Sequence, residues 1–139
     1  MKSGVVHRIK QDAIVFRLNG DYKRGAKFGS LIIGDVLLES VGYEVASSGD
    51  GADGIRLFSE KAFDLVITDI MMPGINGVQV VHKLKQKDLG VKIITISSGS
   101  AEEKSDLLRM SVILGAVKAI HKPIDRDKLL ETVRDALKN

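Results

Sequence analysis

From residue 31 to its end the chain carries four short apolar runs, each flanked by segments whose apolar residues recur three and four positions apart. The runs are Tyr43–Ser47, Asp64–Asp69, Val91–Ser97 and Val117–His121. The segments of helical period are Leu31–Val41, Ala52–Glu60, Val78–Gln86, Ala101–Leu114 and Arg126–Lys138. Strands that alternate with helices at this spacing build βαβ units, and βαβ units require a parallel sheet with helices packed on it. The run Asp64-Leu65-Val66-Ile67-Thr68-Asp69 is nearly continuously apolar with an acid at each end, the pattern of a strand covered on both faces. Local punctuation agrees. Gly42 can end the first helix, Met72-Pro73-Gly74-Ile75-Asn76-Gly77 breaks the chain into a loop, and Ser100 with Glu103 suits a capping box. Asp125 suits the cap of the last helix. The fold class is α/β.

The first thirty residues differ in kind. They hold seven Lys/Arg against two Asp, a net charge of +5, whereas residues 31–139 carry a net of −2. Ala13–Leu18 reads as a strand, Asn19-Gly20 as a hairpin-type turn, and Tyr22–Gly29 as a loop without period. The chain therefore divides into a basic N-terminal segment, 1–30, which holds a candidate first strand, and a core, 31–139. The basic segment, with Phe16, Tyr22 and Phe28 interleaved, has the composition of a nucleic-acid or acidic-partner surface, but a solvated arm accounts for it as well, and nucleic acid is not the expected partner. If this segment fails to supply a central strand, two strand edges stand open, and exchange of strands in a homodimer would cover them.

Composition excludes several chemistries. With no cysteine there is no disulfide, thiolate metal site or thiol nucleophile. No apolar run approaches the ~20 residues of a membrane span, and the opening Met1-Lys2-Ser3-Gly4-Val5-Val6-His7-Arg8 lacks the apolar stretch of a secretory signal. A cytoplasmic protein with no membrane partner is the expectation. His7, His82 and His121 have no neighbour at metal-ligand spacing and read as ordinary surface or strand residues.

Three polar residues stand in phase. Asp69, Ser97 and Lys122 each close an apolar strand, 28 and then 25 residues apart, about one βαβ repeat each. In a right-handed parallel sheet these ends share one edge, the edge at which open α/β sheets bind ligands. A carboxylate, a hydroxyl and an ammonium converging there suit phosphoryl transfer. The carboxylate attacks phosphorus, while the cation and the hydroxyl meet the charge spread over the transferred group. Mg²⁺ on Asp69 would complete the neutralisation, since one or two carboxylates plus phosphate oxygens are its usual ligands.

The stretch Asp64-Leu65-Val66-Ile67-Thr68-Asp69-Ile70-Met71-Met72-Pro73-Gly74-Ile75-Asn76-Gly77 resembles the phosphoacceptor strand and loop of two-component response regulator receiver domains. Gly42-Tyr43-Glu44-Val45, Lys92–Ser97, Leu114-Gly115-Ala116 and His121-Lys122-Pro123-Ile124 agree with that family in order and spacing, so the resemblance covers about residues 31–139. It implies a flavodoxin-like, doubly wound, five-stranded parallel sheet in the order 2-1-3-4-5, flanked by helices. It further implies Asp69 as the phosphorylated aspartate, Ser97 as the switch hydroxyl, Lys122 as the phosphate-sensing lysine and the backbone carbonyl of Met71 as a metal ligand. The function it implies is that of a stand-alone, chemotaxis-regulator-like receiver. Such a protein takes a phosphoryl group from a histidine kinase or phosphotransfer protein and signals by changed binding to a downstream protein. It would catalyse its own phosphotransfer and dephosphorylation without turning over an external substrate.

Two departures qualify that expectation. The family carries an acidic pair just after its first strand, where both carboxylates help to hold Mg²⁺. If that strand is Ala13–Phe16, the residues there are Arg17 and Leu18, and Asp21 is left as the candidate metal ligand from an enlarged loop. Ala119 stands where the family often has an aromatic ring that swings inward. The alternative function is accordingly a receiver-like interaction module that is never phosphorylated. A hydrolase with an aspartate nucleophile is disfavoured, because the position of its second Asp is Met71. A flavin carrier is disfavoured by a chain with six aromatics and no Trp.

Overall fold

The computed structural model describes residues 12–16, 38, 40–48, 51–61, 63–70, 74–97, 102–121 and 125–138. Strands β1 (Asp12–Phe16), β2 (Glu44–Ser48), β3 (Leu65–Asp69), β4 (Lys92–Ser97) and β5 (Lys118–His121) form one sheet in the order β2-β1-β3-β4-β5. Every pairing is parallel. Helices α1 (Gly51–Glu60), α2 (Gly77–Lys87), α3 (Glu102–Ile113) and α4 (Arg126–Lys138) connect or follow the strands. The expected strand order is thus the observed one, and most element ends fall within a residue or two of their expected positions.

The N-terminal strand is the element on which the sequence is least decisive. It lies in the middle of the sheet, with Ala13, Ile14 and Val15 in register with Val45, Ala46 and Ser47 on one side and with Leu65, Val66 and Ile67 on the other. No gap is left beside β3, so the reason for a strand-exchanged homodimer falls away.

Apolar runs on β3 and β4 place alternate residues on opposite faces of the sheet. On one face Leu65, Ile67, Ile94, Ile96 and Ile120 pack with Leu38 and with Leu129, Val133 and Ala136 of α4. On the other, Val66 and Ile93 pack with Phe58 of α1 and with Val80, Val81 and Leu84 of α2. Leu65, Val66, Ile93, Ile94 and Ile96 are completely buried, each worth about 1.5–3 kcal/mol of transfer free energy. Burial on both faces is why these strands read as continuous apolar runs rather than as alternation.

Caps fix where the helices begin. The Lys128 N–H donates to Asp125 Oδ2 at 3.3 Å, so Asp125 caps α4 as its position suggests. Of the expected helix over Leu31–Val41, Leu38, Ser40 and Val41 are described, the first two helical and Val41 in the turn that follows. After them Gly42 adopts φ 100°, and the Tyr43 N–H donates back to the Leu38 carbonyl at 3.2 Å, the way a glycine closes a helix. Ser100, the residue expected to cap α3 with Glu103, lies outside the described residues, as does the loop over Tyr22–Gly29. No helix among the described residues is long and apolar enough to cross a membrane.

Candidate functional site

The winding of the sheet reverses between β1 and β3: the chain moves outward to β2 on one side and through β4 to β5 on the other. Where the order reverses, the connections leave in opposite directions and a crevice opens at the carboxyl ends of the strands. Asp69 is the last residue of β3 and so stands at that crevice. It is 1% exposed. A carboxylate so nearly removed from water at a strand end is costly to keep, which is the usual mark of a group held for chemistry.

Ser97 is the last residue of β4, on the neighbouring strand, and is fully buried. Register pairs Asp69 with Ile96, and the Ile70 N–H donates to the Ile96 carbonyl at 2.8 Å, which locks the two strand ends one rung apart. Ser97 pairs in turn with His121, the exposed last residue of β5. Lys122 follows His121 in the chain. Lys122, Met71 and Asp21 lie outside the described residues, so the structure brings together Asp69 and Ser97 of the expected set.

Three contacts fix the peptide that carries Asp69 onward. The Thr68 hydroxyl donates to the Asp69 carbonyl at 3.0 Å. The Gly77 N–H donates to the Ile70 carbonyl at 2.8 Å. Gly77 itself lies so close that a Cβ there would come within 2.6 Å of the Asp69 carbonyl oxygen and 2.7 Å of Ile70 Cα. The first turn of α2 can approach β3 this closely because residue 77 has no side chain.

Asn76 holds that turn in place. Its side chain accepts from the Gln79 N–H at 2.9 Å, and the Gln79 side chain accepts from the Asn76 N–H at 2.8 Å, a complete capping box. The loop expected over Met72–Gly77 thus ends in a helix cap, whose signal in the sequence is an Asn followed three residues later by Gln at the start of an apolar period. Replacing Asn76 with Ala is expected to cost about 1 kcal/mol, read as a lower midpoint in urea unfolding with an unchanged slope.

Residues 31–134 match the family described as the response regulator receiver domain. The chain belongs to that family. It is 34% identical over 131 residues to the chemotaxis protein CheY of Treponema pallidum, a match covering 86% of this chain and 89% of that protein. To the CheY of Bacillus subtilis it is 32% identical over 113 residues, covering 81% of this chain and 91% of the other. Several other relatives are much longer, and the chain matches 10% to 22% of their length. Among solved structures, a CheY-like receiver domain protein from Methanospirillum hungatei superposes with a TM-score of 0.77 at 24% identity, covering 92% of this chain and 94% of that one. That likeness concerns the fold.

Receivers of this family typically bind Mg²⁺, and the donors at this edge can be compared with that need. Among the described residues no group of three or more His, Asp or Glu is placed to hold a metal. β1 ends at Phe16, and the next two residues in the sequence are Arg17 and Leu18, which offer no side-chain oxygen. Asp12 begins β1 and therefore stands at the opposite edge. Asp69 alone meets the minimum of one carboxylate for a cation that takes its remaining ligands from water and phosphate.

Proposed function

We propose that this receiver accepts a phosphoryl group on Asp69, from a histidine kinase or a phosphotransfer protein, and signals by changed binding to a second protein. The observation that carries the reading is a nearly buried carboxylate at the end of β3, at the point where the sheet reverses, with a buried hydroxyl at the end of the adjacent strand. A carboxylate oxygen forms the new bond to phosphorus as the bond from phosphorus to the donor breaks. The donor, an imidazole nitrogen or the acetate of acetyl phosphate, leaves with that bond's electrons. The mixed anhydride so formed adds about 1.5–2 negative charges at the end of β3.

The remaining residues have distinct tasks in this reading. Ser97 donates a hydrogen bond to a phosphoryl oxygen, and the Lys122 ammonium offsets its charge. Asp69 would hold Mg²⁺, joined by the Met71 carbonyl and Asp21, and the cation would screen charge on the transferred group. With Ala119 half-buried and small, no ring at that position reports the change, and movement of the backbone near Ser97 takes its place. The output is a binding event, in the cytoplasm, with a partner protein.

Intact mass after incubation with acetyl phosphate tests this. The expected result is one phosphoryl adduct that forms with Mg²⁺ and is lost with a chelator. A folded protein that gains no adduct would instead favour a receiver-like module that works by binding alone, as the Arg17-Leu18 pair after β1 suggests.

A further inference from the structure

Two buried hydroxyls join β4 to α3 two residues back along the strand from Ser97. Thr95 and Ser111 are both fully buried, and their oxygens lie 2.8 Å apart. Ser111 has one hydroxyl hydrogen and gives it to the Leu108 carbonyl at 2.6 Å. Thr95 must then be the donor between the two, which orders the relay as Thr95 to Ser111 to the Leu108 carbonyl. Thr95 lies two residues before Ser97, on the same side of β4, and is in register with Thr68, whose hydroxyl bonds the Asp69 carbonyl. Leu108, at the far end of the relay, packs against Ile70, the residue after Asp69.

On this side of the sheet Ile93 meets Val80, Val81 and Leu84 of α2 through apolar contact, which holds distance but not register. A hydroxyl pair is directional and fixes register. It is also no cheaper than an apolar pair of the same shape, so stability alone gives no reason for it.

We propose that Thr95 and Ser111 are positioning residues. Their bond holds α3 in fixed register with the strand end that bears Ser97, so that Ser97 meets the phosphoryl group on Asp69 in a set geometry. This rests on the phosphoacceptor reading above.

The direction of the relay makes the variants unequal. Ser111→Ala leaves the Thr95 hydroxyl buried with its acceptor gone, whereas Thr95→Val leaves Ser111 still bonded to Leu108. The double variant, Thr95→Val with Ser111→Ala, removes both hydroxyls and is expected to recover the thermal midpoint that Ser111→Ala loses. Stability and positioning are thereby separated. Although folded and stable, the double variant is expected to form or lose the acetyl-phosphate adduct at a rate changed by about two- to thirtyfold. Thr95→Ser, which keeps the hydroxyl, is expected to bring the rate back toward that of the parent.

The parent protein is measured in the same series. An adduct on the parent with unchanged rates in the double variant overturns the positioning role and leaves the phosphoacceptor reading intact. No adduct on the parent overturns both.

Discussion

Asp69→Asn is expected to abolish the phosphoryl adduct and to leave the fold in place. The side chain keeps its shape, but an amide oxygen is far too weak a nucleophile to attack phosphorus at neutral pH. The loss is therefore expected to be complete within the sensitivity of intact-mass measurement. Stability should move in the opposite sense or not at all. Asp69 is almost entirely buried at a strand end, and an ionised carboxylate there forfeits hydration that an amide does not need. Thermal unfolding of the variant should occur at or above the midpoint of the parent. An adduct of undiminished yield on Asp69→Asn would remove Asp69 from its role and send the search to another acceptor.

Gly77→Ala tests a different part of the same site. The added methyl would lie 2.6 Å from the Asp69 carbonyl oxygen and 2.7 Å from Ile70 Cα, and both neighbours are backbone. A side-chain tip could rotate away, but a strand end tied to Ile96 through the Ile70 N–H cannot yield without breaking that bond or pushing α2 outward. Overpacking of this kind costs about 1–3 kcal/mol, despite alanine's better helix propensity. Denaturant unfolding should register that loss. Adduct formation should fall as well, because the peptide that moves is the one carrying Asp69. A Gly77→Ala protein as stable and as reactive as the parent would mean that α2 sits further from β3 than this geometry has it.

Some of this site can be read from the chain and some cannot, for physical reasons. Asp69 and Ser97 are legible because a strand buried on both faces is a largely apolar run, so the polar residue that closes it marks the strand's carboxyl end. Strand identity is similarly local. The place of β1 is not, because its partners Glu44–Ser48 and Leu65–Ile67 lie far along the chain and its own five residues say nothing of which strands they join. Gly77 reads as a loop residue until α2 is set against β3. The Thr95–Ser111 bond is hidden for a related reason. Threonine is an ordinary strand former and serine an ordinary helix residue, and only packing reveals that both hydroxyls are sealed from water and facing one another.

The position of β1 also decides how the sheet comes apart. Among the described residues β2 pairs with β1 and with no other strand, whereas β3, β4 and β5 form a ladder of their own. The two halves are connected in series through five residues near the start of the chain. When β1 detaches, β2 loses its ladder in the same event, while β3 to β5 keep theirs, with Asp69 then on an open margin of the remaining sheet. β1, which ends at Phe16, is thus the strand that keeps the β3 flank bearing Asp69 paired.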